Sequence, residues 1–444
     1  MSLLTPKNSV RKLQRALYVK AKSEPSFRFY NLWDKTSRPD IVGEAWRRVR
    51  ANRGCAGVDG ETIEAIESKG VESWLGKLEQ ELRTKTYRPS PLLRVWIPKA
   101  KGGKRALSIP TIRDRVAQMC WNIVANPIFE ADLLPCQYGF RPRLSAKMAI
   151  RRLFWNITKH GRTEIVDADL KDYFNTIPHQ GLLKSVARRI SDRSMLKILK
   201  MWITAPVVER TPNGHDTTTS EAKDTHRGSA QGSVISPLLA NIYFRRFALA
   251  WTQFGYATKH KSSIVNYADD FVICCQPGNA KFAMEDMRTL ISKLGLTINE
   301  EKTGIVKVPE MPLDFLGYRF CSMARKDGSR YIGTKPSPQS LKRIIRKIHD
   351  ETSRRWLNKT LESRIVEINP IIRGWSNYFN QGPVIKSYEI IQKYALQRIQ
   401  HFLVKKHKLR GTSGHKQFPA EYLYGQMGLF KLPTTMAEVA RAKT

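Results

Sequence analysis

Ser263-Ile264-Val265-Asn266-Tyr267-Ala268-Asp269-Asp270-Phe271-Val272-Ile273-Cys274 is the stretch whose reading decides the fold. Two apolar, β-branched runs flank a pair of aspartates, and such runs read as strands. Neighbouring side chains on a strand point to opposite faces, but at a hairpin tip both carboxylates can be presented to one place. Held close, they repel and need a counter-charge. A hard divalent cation is the natural one, since Mg²⁺ takes one or two carboxylates plus substrate phosphates. An ordinary solvated turn carries the same two residues, so a third carboxylate elsewhere has to decide.

That carboxylate lies in Ile165-Val166-Asp167-Ala168-Asp169-Leu170-Lys171-Asp172-Tyr173-Phe174, which alternates like a strand. Asp167 and Asp169 share one face of it. A charged face on a strand rich in Val, Ile and Phe is unusual unless something binds there. Between and after these two stretches, helical spacing predicts helices over Ser185–Trp202, Ser236–Phe247 and Lys281–Leu294. Strands are expected over Ile298–Val308 and Asp314–Phe320. The sequence of strands and helices suits a split βαβ palm within an α+β fold.

Composition narrows the partners. Lys and Arg number 76 against 39 Asp and Glu, a formal charge of +37 over 444 residues. So large an excess points to a polyanion. No run approaches the ~18 apolar residues of a spanning helix, and Met1–Val10 has no signal-peptide character. An intracellular, cytoplasmic protein without a membrane partner is expected. The six cysteines form no C-x-x-C pair, which excludes a disulfide framework and a zinc pattern.

Upstream, Ala56-Gly57-Val58-Asp59-Gly60 is a glycine-bounded loop, and an amphipathic helix is expected over Val71–Thr84. Leu92–Pro98 and Ala106–Pro110 read as a hairpin with the basic tip Lys99-Ala100-Lys101-Gly102-Gly103-Lys104-Arg105. Mobile cations there suit a triphosphate or a phosphate backbone, although a solvated turn reads the same locally. A helix over Thr111–Phe129 follows, then Gln137-Tyr138-Gly139-Phe140-Arg141-Pro142. Glu209–His226 is polar and reads as a surface loop or exposed hairpin. In Arg227-Gly228-Ser229-Ala230-Gln231-Gly232-Ser233, small residues before a helix let backbone amides approach a nucleotide.

Downstream, Ser337 is a plausible N-cap with Pro338 at the first helical position. Leu341, Ile344, Ile345, Ile348, Trp356 and Leu357 fit one helical face, with Lys342, Arg343, Arg346, Lys347, Arg354 and Arg355 off it. Lys335–Lys416 holds 18 Lys/Arg and 5 Asp/Glu. A face that basic is read better as tracking phosphates than as a solvated surface.

Together these blocks resemble the reverse transcriptases encoded by bacterial group II introns, the intron maturases. The markers are Ala56–Gly60, Ile109-Pro110-Thr111 with Asp114-Arg115, Tyr138–Pro142, Asp169–Phe174, and Gln231-Gly232 with Ser236–Asn241. Tyr267-Ala268-Asp269-Asp270, Phe315-Leu316-Gly317-Tyr318 and Asn369–Phe379 complete them. Departures stand at Arg143-Leu144-Ser145, at Ser229-Ala230 and Ser233, and at Asn266, where the family commonly has Arg. None removes a metal ligand. The chain looks like the shorter kind without a cysteine-rich nuclease domain, similar to class C.

The resemblance implies a right-hand polymerase. Residues 1–90 are an N-terminal extension and the start of the fingers, and 91–334 are fingers and palm. Residues 335–408 are an α-helical thumb or maturase domain, and 409–444 a short basic DNA-binding region. It implies two Mg²⁺ ions held by Asp169, Asp269, Asp270 and the Leu170 carbonyl, with dNTP substrates. Lys99 and Arg105 are implied for the triphosphate, Phe174 for the sugar, and Gln231 and Gly232 for the template–nucleotide pair. Tyr267, Lys302 and Phe315, Leu316, Gly317 and Tyr318 are implied for primer and template. Arg346, Lys347, Arg354, Arg355 and Arg373 are implied for RNA. The expected partners are group II intron RNA, an RNA template with a DNA primer, and target DNA, which implies association with the nucleoid when on DNA. An RNA-binding splicing cofactor with an idle polymerase is the alternative, as is a relative diverted to host DNA repair or defence.

Overall fold

The computed structural model describes residues 7–98, 102–210, 216–325, 327–409 and 414–441. Among these, strands run in chain order as β1 (Leu92–Pro98), β2 (Lys104–Ile109), β3 (Glu164–Asp169), β4 (Val207–Arg210), β5 (Asp216–Thr219), β6 (Ser263–Tyr267), β7 (Asp270–Cys275), β8 (Gly304–Lys307), β9 (Leu313–Phe315), β10 (Tyr318–Ala324) and β11 (Arg330–Pro336). They form three sheets, β2-β1-β4-β5, β6-β7-β3-β8 and β11-β10-β9. No helix among the described residues is long and apolar enough to cross a membrane.

Two compact units emerge. One comprises Met1–Ser145, Val166–Ile273 and Asn279–Gly304; the other comprises Ala146–Ile165, Cys274–Gly278 and Ile305–Thr444. In the first, β1 and β2 pair antiparallel from Leu93↔Ile109 to Pro98↔Lys104, as the sequence predicts. β1 also pairs parallel with β4, and the polar stretch after β4 returns as β5 in an exposed hairpin. The helix Ser236–Gln253 packs through Phe244 and Phe247 on Phe271 of β7, with ring centroids 5.3 and 5.4 Å apart. These rings are fully buried.

Three expectations between Ser185 and Phe320 are corrected. Ser185–Trp202 is not one helix but His179–Ala187 and Arg193–Ile203. Asp192 breaks it by capping Ser194 N and Met195 N and by accepting from Leu32 N and Trp33 N. Ile298–Val308 is a strand only from Gly304; Lys302 N and Thr303 N both bond to Asn299 O, which makes a turn. Asp314–Phe320 is a hairpin, because Leu316 and Gly317 have φ of 49° and 79°.

In the second unit, three helices, Pro338–Glu351, Leu361–Tyr378 and Ile385–Lys406, enclose a core that includes Ile348, Ile368, Ile391 and Ile399. Leu423, Leu429, Leu432 and Val439 are buried in the same core. Asn369 clasps this last segment from both sides of its amide, donating to Gly428 O and accepting from Phe430 N, each at 2.8 Å. Ser337 caps the first helix at Ser340 N, and Pro338 is its first residue. That helix stops at Glu351 rather than reaching Leu357. Thr352 Oγ1 bonds back to Ile348 O at 2.8 Å, and the Arg398 guanidinium takes Thr352 O and Thr352 Oγ1. The last carbonyls are thereby satisfied, and Arg354 and Arg355 fall in a separate 3-10 turn.

Candidate active site

The turn between β6 and β7 is Ala268-Asp269, and Asp270 is the first residue of β7. Ala268 takes φ 60°, left-handed backbone that disfavours any side chain. It persists because the turn is held from behind. Asn266, fully buried, donates from Nδ2 to Ala268 O at 2.8 Å. Tyr138 N donates to Asn266 O at 2.9 Å, and Asn266 N to Cys136 O at 2.8 Å. Gly139 abuts the turn so closely that a Cβ there would lie 2.3 Å from Ala268 N. Asn241 Nδ2 holds Gly139 O at 2.8 Å, and Gln137 Nε2 holds Asn241 O at 2.9 Å.

Asp169 ends β3. Its Oδ2 accepts from Lys302 Nζ at 2.9 Å and from Asn299 Nδ2 at 3.0 Å. Backbone bonds from Asn299 N to Asp169 O and from Lys171 N to Thr297 O, both 2.8 Å, fix the 297–303 turn against the strand end. Asp169, Leu170, Asp269, Phe174, Gln231 and Lys302 line one cavity of about 670 Å³, with Arg105 on its β2 wall. Asp270, next in the chain, is exposed and is not part of that lining, yet enough protein surrounds the carboxyl to raise its pKa to about 6. Burial is the first cause and the charges of Asp269 and Asp169 are the next; Lys302 and Arg105 pull the other way. Three carboxylates therefore feel one another, and negative charge accumulates where a cation is wanted.

Among the described residues, no three His, Cys, Asp or Glu are drawn into a cluster that could by itself hold a metal ion. The donor chemistry still fits a hard divalent cation. It consists of carboxylate oxygens without thiolate or imidazole, with an ammonium already drawn to Asp169. Substrate phosphates complete such sites.

The other expected residues fall as follows. Phe174 is buried in the short helix Tyr173–Thr176, its ring 6.5 Å from Phe140 and 5.9 Å from Tyr173. Gln231 O accepts from Ser108 N at 2.8 Å, which ties that loop to β2. Gly232 has φ 119°, and a Cβ there would press to 3.0 Å from Ser108 O, so both backbone and space require glycine. Tyr267 closes β6 but, like Asp167 and Gly232, is not part of the cavity lining. Lys99 lies outside the described residues.

Phe315, Leu316, Gly317 and Tyr318 belong to the second unit. There Gly317 O accepts from Ser337 N and Ser340 Oγ, and Leu316 O from Tyr378 Oη. Leu316 and Gly317 line a groove of about 520 Å³ with Arg343, Lys347 and Trp375. Arg346, Lys347, Arg354 and Arg355 are exposed, and Arg373 lies 4.9 Å over the Phe430 ring.

Sequence reasoning passed over Asn299, Arg94 and Thr303, whose Oγ1 accepts from Asp169 N at 3.2 Å, and it quoted Asn241 only as part of the Ser236–Asn241 marker. Arg94 shares the cavity face of β1 with Leu92 and Trp96, a period of two visible in the sequence. Asn299 had no such signal, because its role depends on a turn that read as strand.

Residues 97–320 match the reverse transcriptase (RNA-dependent DNA polymerase) family. Residues 341–418 match the group II intron, maturase-specific domain. Protein YkfC of Escherichia coli (strain K12) is 32% identical over 74% of this chain and 93% of its own length. The group II intron-encoded protein LtrA of Lactococcus lactis subsp. cremoris is 25% identical over 65% of this chain and 56% of its own. An uncharacterized 91 kDa protein in a cob intron of Schizosaccharomyces pombe is 24% identical over 82% and 53%. The chain thus spans nearly all of the first relative and about half of the other two. With the first match spanning all three aspartates and the second the helices behind Pro338, the chain belongs to the reverse transcriptase family, in its group II intron-encoded type with a maturase-specific domain.

Proposed function

We propose that the chain is an RNA-directed DNA polymerase that binds group II intron RNA, assists its splicing and copies it by target-primed reverse transcription. The observation that carries this reading is the cavity that Asp169 and Asp269 line together, with Asp270 next in the chain and Lys302 and Arg105 as cations on the same walls. Two Mg²⁺ ions held by these carboxylates and the Leu170 carbonyl would stabilise the attacking and leaving oxygens of nucleotidyl transfer.

The chain's own residues do the rest. Arg105, with Lys99, holds the triphosphate of the incoming dNTP as a charged clamp. Phe174, wedged against Phe140 and Tyr173, gives the sugar a rigid floor on which a 2′-hydroxyl has no room. Gln231 stands beside the template–nucleotide pair, and the bare Gly232 lets that loop lie close to β2. Lys302 neutralises Asp169 and, with Tyr267 and the Phe315–Tyr318 turn, orients primer and template. Arg346, Lys347, Arg354, Arg355 and Arg373 grip RNA phosphates, each released counterion adding salt-dependent affinity. Residues 1–90, 91–334, 335–408 and 409–444 serve as extension, fingers and palm, thumb, and a contact to target DNA.

Asp269→Asn removes a cation ligand and no basic contact. It should abolish primer extension on an RNA template while leaving RNA affinity nearly unchanged, and activity within tenfold of native sinks the assignment. Asp167→Asn should be far milder; if it alone kills the enzyme, the wrong carboxylate of β3 has been chosen. A native chain that promotes splicing of an intron RNA but extends no primer would be a splicing cofactor with an idle polymerase.

A further inference from the structure

A second cavity, of about 410 Å³, opens between the helices His179–Ala187 and Ser236–Gln253 and shares no lining residue with the polymerase cavity. Its walls carry Lys184, Arg188, Arg189, Arg245 and Arg246 against a single acid, Asp132. The positive charge is not consumed inside the protein. Arg189 is spent, donating to Ala21 O, Glu24 O and Pro25 O and pairing with Asp132 at 3.4 Å. Arg245 Nε is held by Asp132 O at 2.8 Å. Among the described residues Arg246 makes only a long 3.4 Å bond to Tyr243 Oη, and it lies over that ring. Lys184 and Arg188 are exposed, and neither side chain has a hydrogen-bond or ion-pair partner among the described residues. Burial, and the neighbouring charges of Arg188 and Arg189, weaken the hold of Arg245 on its own proton.

The rest of the lining is apolar and includes Ile242 and Leu249. At the rim stands Phe254, 76% exposed, at the C-terminal cap of the helix Ser236–Gln253. An aromatic ring left in water at a helix end, near the unpaired Lys184 and Arg188 and the loosely held Arg246, suits one common chemistry. A nucleobase stacks on the ring while its phosphates meet the cations.

We propose that this cavity binds a single-stranded segment of RNA, with an unstacked base on Phe254 and its flanking phosphates on Lys184, Arg188 and Arg246. The volume lies within the ~300–1,000 Å³ of small-ligand pockets, enough for a nucleotide and not for a helix. A paired base in an A-form duplex cannot leave its stack to reach the ring without unpairing. The source of the RNA, an intron bound by this chain, rests on the proposed function; the site itself does not.

The test uses the full chain with its polymerase cleft saturated by an RNA–DNA primer–template. Binding of a labelled twelve-nucleotide oligouridine is then measured across a range of salt concentrations, beside a twelve-base-pair RNA duplex. Phe254→Ala should weaken oligouridine binding about tenfold, as loss of one stacked base does. Arg188→Glu with Arg246→Glu should weaken it further and lower the log–log salt slope by about 1.4, at ~0.7 per lost single-strand phosphate contact. Duplex affinity and the rate of primer extension should stay within twofold. Unchanged oligouridine binding in both variants overturns the proposal while leaving the polymerase reading intact. Equal losses for oligouridine and duplex overturn it as generic attraction. Polyglutamate competing as well as oligouridine overturns it in favour of an acidic protein partner. Because Phe254 is so exposed, its variant remains a fair test if the double charge reversal does not fold.

Discussion

Gly139→Ala is a one-carbon change outside the cavity, and it should cripple the enzyme. The new Cβ would lie 2.3 Å from Ala268 N, 3.0 Å from the Tyr267 carbonyl carbon and 3.1 Å from Ala268 Cα. Real Cβ contacts essentially never fall below 3.0 Å, so a gap of at least 0.7 Å must open. All three neighbours are backbone, and no side chain can rotate away. Gly139 cannot retreat either, because Asn241 holds its carbonyl and Tyr138 is bonded to Asn266. The displacement must enter the left-handed turn at Ala268, one residue before Asp269. Misplacing a reacting group by about 1 Å costs on the order of 10²-fold in rate, and the overpacking costs about 1–3 kcal/mol of stability. Single-nucleotide incorporation by rapid quench should therefore fall about a hundredfold, with RNA affinity unchanged and a melting temperature lower by several degrees. Gly76→Ala is the control. Nothing lies within 4 Å of its Cβ, it sits inside the helix Val71–Arg83, and the change should be neutral or stabilising. Incorporation within threefold of native for Gly139→Ala, with unaltered melting, refutes the reasoning.

Phe174→Ala should admit ribonucleotides, since it removes the ring braced by Phe140 and Tyr173; unaltered dNTP/rNTP discrimination removes Phe174 from that role. Charge reversal at Arg346, Lys347, Arg354 and Arg355, all exposed, should leave a folded protein that binds RNA with lower affinity and a flatter salt slope. An equal slope means those cations are only solvated surface. His179, 5% exposed and bonded through Nε2 to Gly228 O at 2.8 Å, has a pKa lowered chiefly by burial. Between the lowered folded value and the unfolded 6.5, only the unfolded chain takes up the proton. The stability from His179 is thus complete above about pH 6.5 and is lost as pH falls. His179→Gln should flatten the decline in melting temperature between pH 7.5 and 5.5, and an unchanged decline assigns it to other groups.

Much of the site was legible because its chemistry sits at chain reversals. The aspartate pair between two β-branched runs, Asp169 at a strand end and the β1–β2 hairpin all announce themselves by local pattern. Long-range support does not. Asn266 meets Tyr138, and Gly139 meets Ala268, across more than a hundred residues, and nothing in either stretch names the other. Helix ends were misread where a distant group set them. Arg398 stops the helix at Glu351, and Asp192, engaged by Leu32 and Trp33, divides the helix expected over Ser185–Trp202. The exposed Phe254 and its unpaired cations escaped notice because charge on two separate helices reads as solvated surface until folding sets them side by side.

The clasp of Asn369 on Gly428 and Phe430 sets a timetable for the newborn chain. The unit bearing the aspartates is fully translated once Gly304 has been added, whereas the core behind Pro338 is not closed until Leu423, Leu429, Leu432 and Val439 arrive. At about 5–20 residues per second, that interval lasts roughly 7–27 seconds. From their own synthesis until its close, Ile344, Ile348, Ile365 and Ile368 lack part of their covering. The growing chain therefore has its first unit complete while the core behind Pro338 is still open, with apolar side chains within reach of a chaperone.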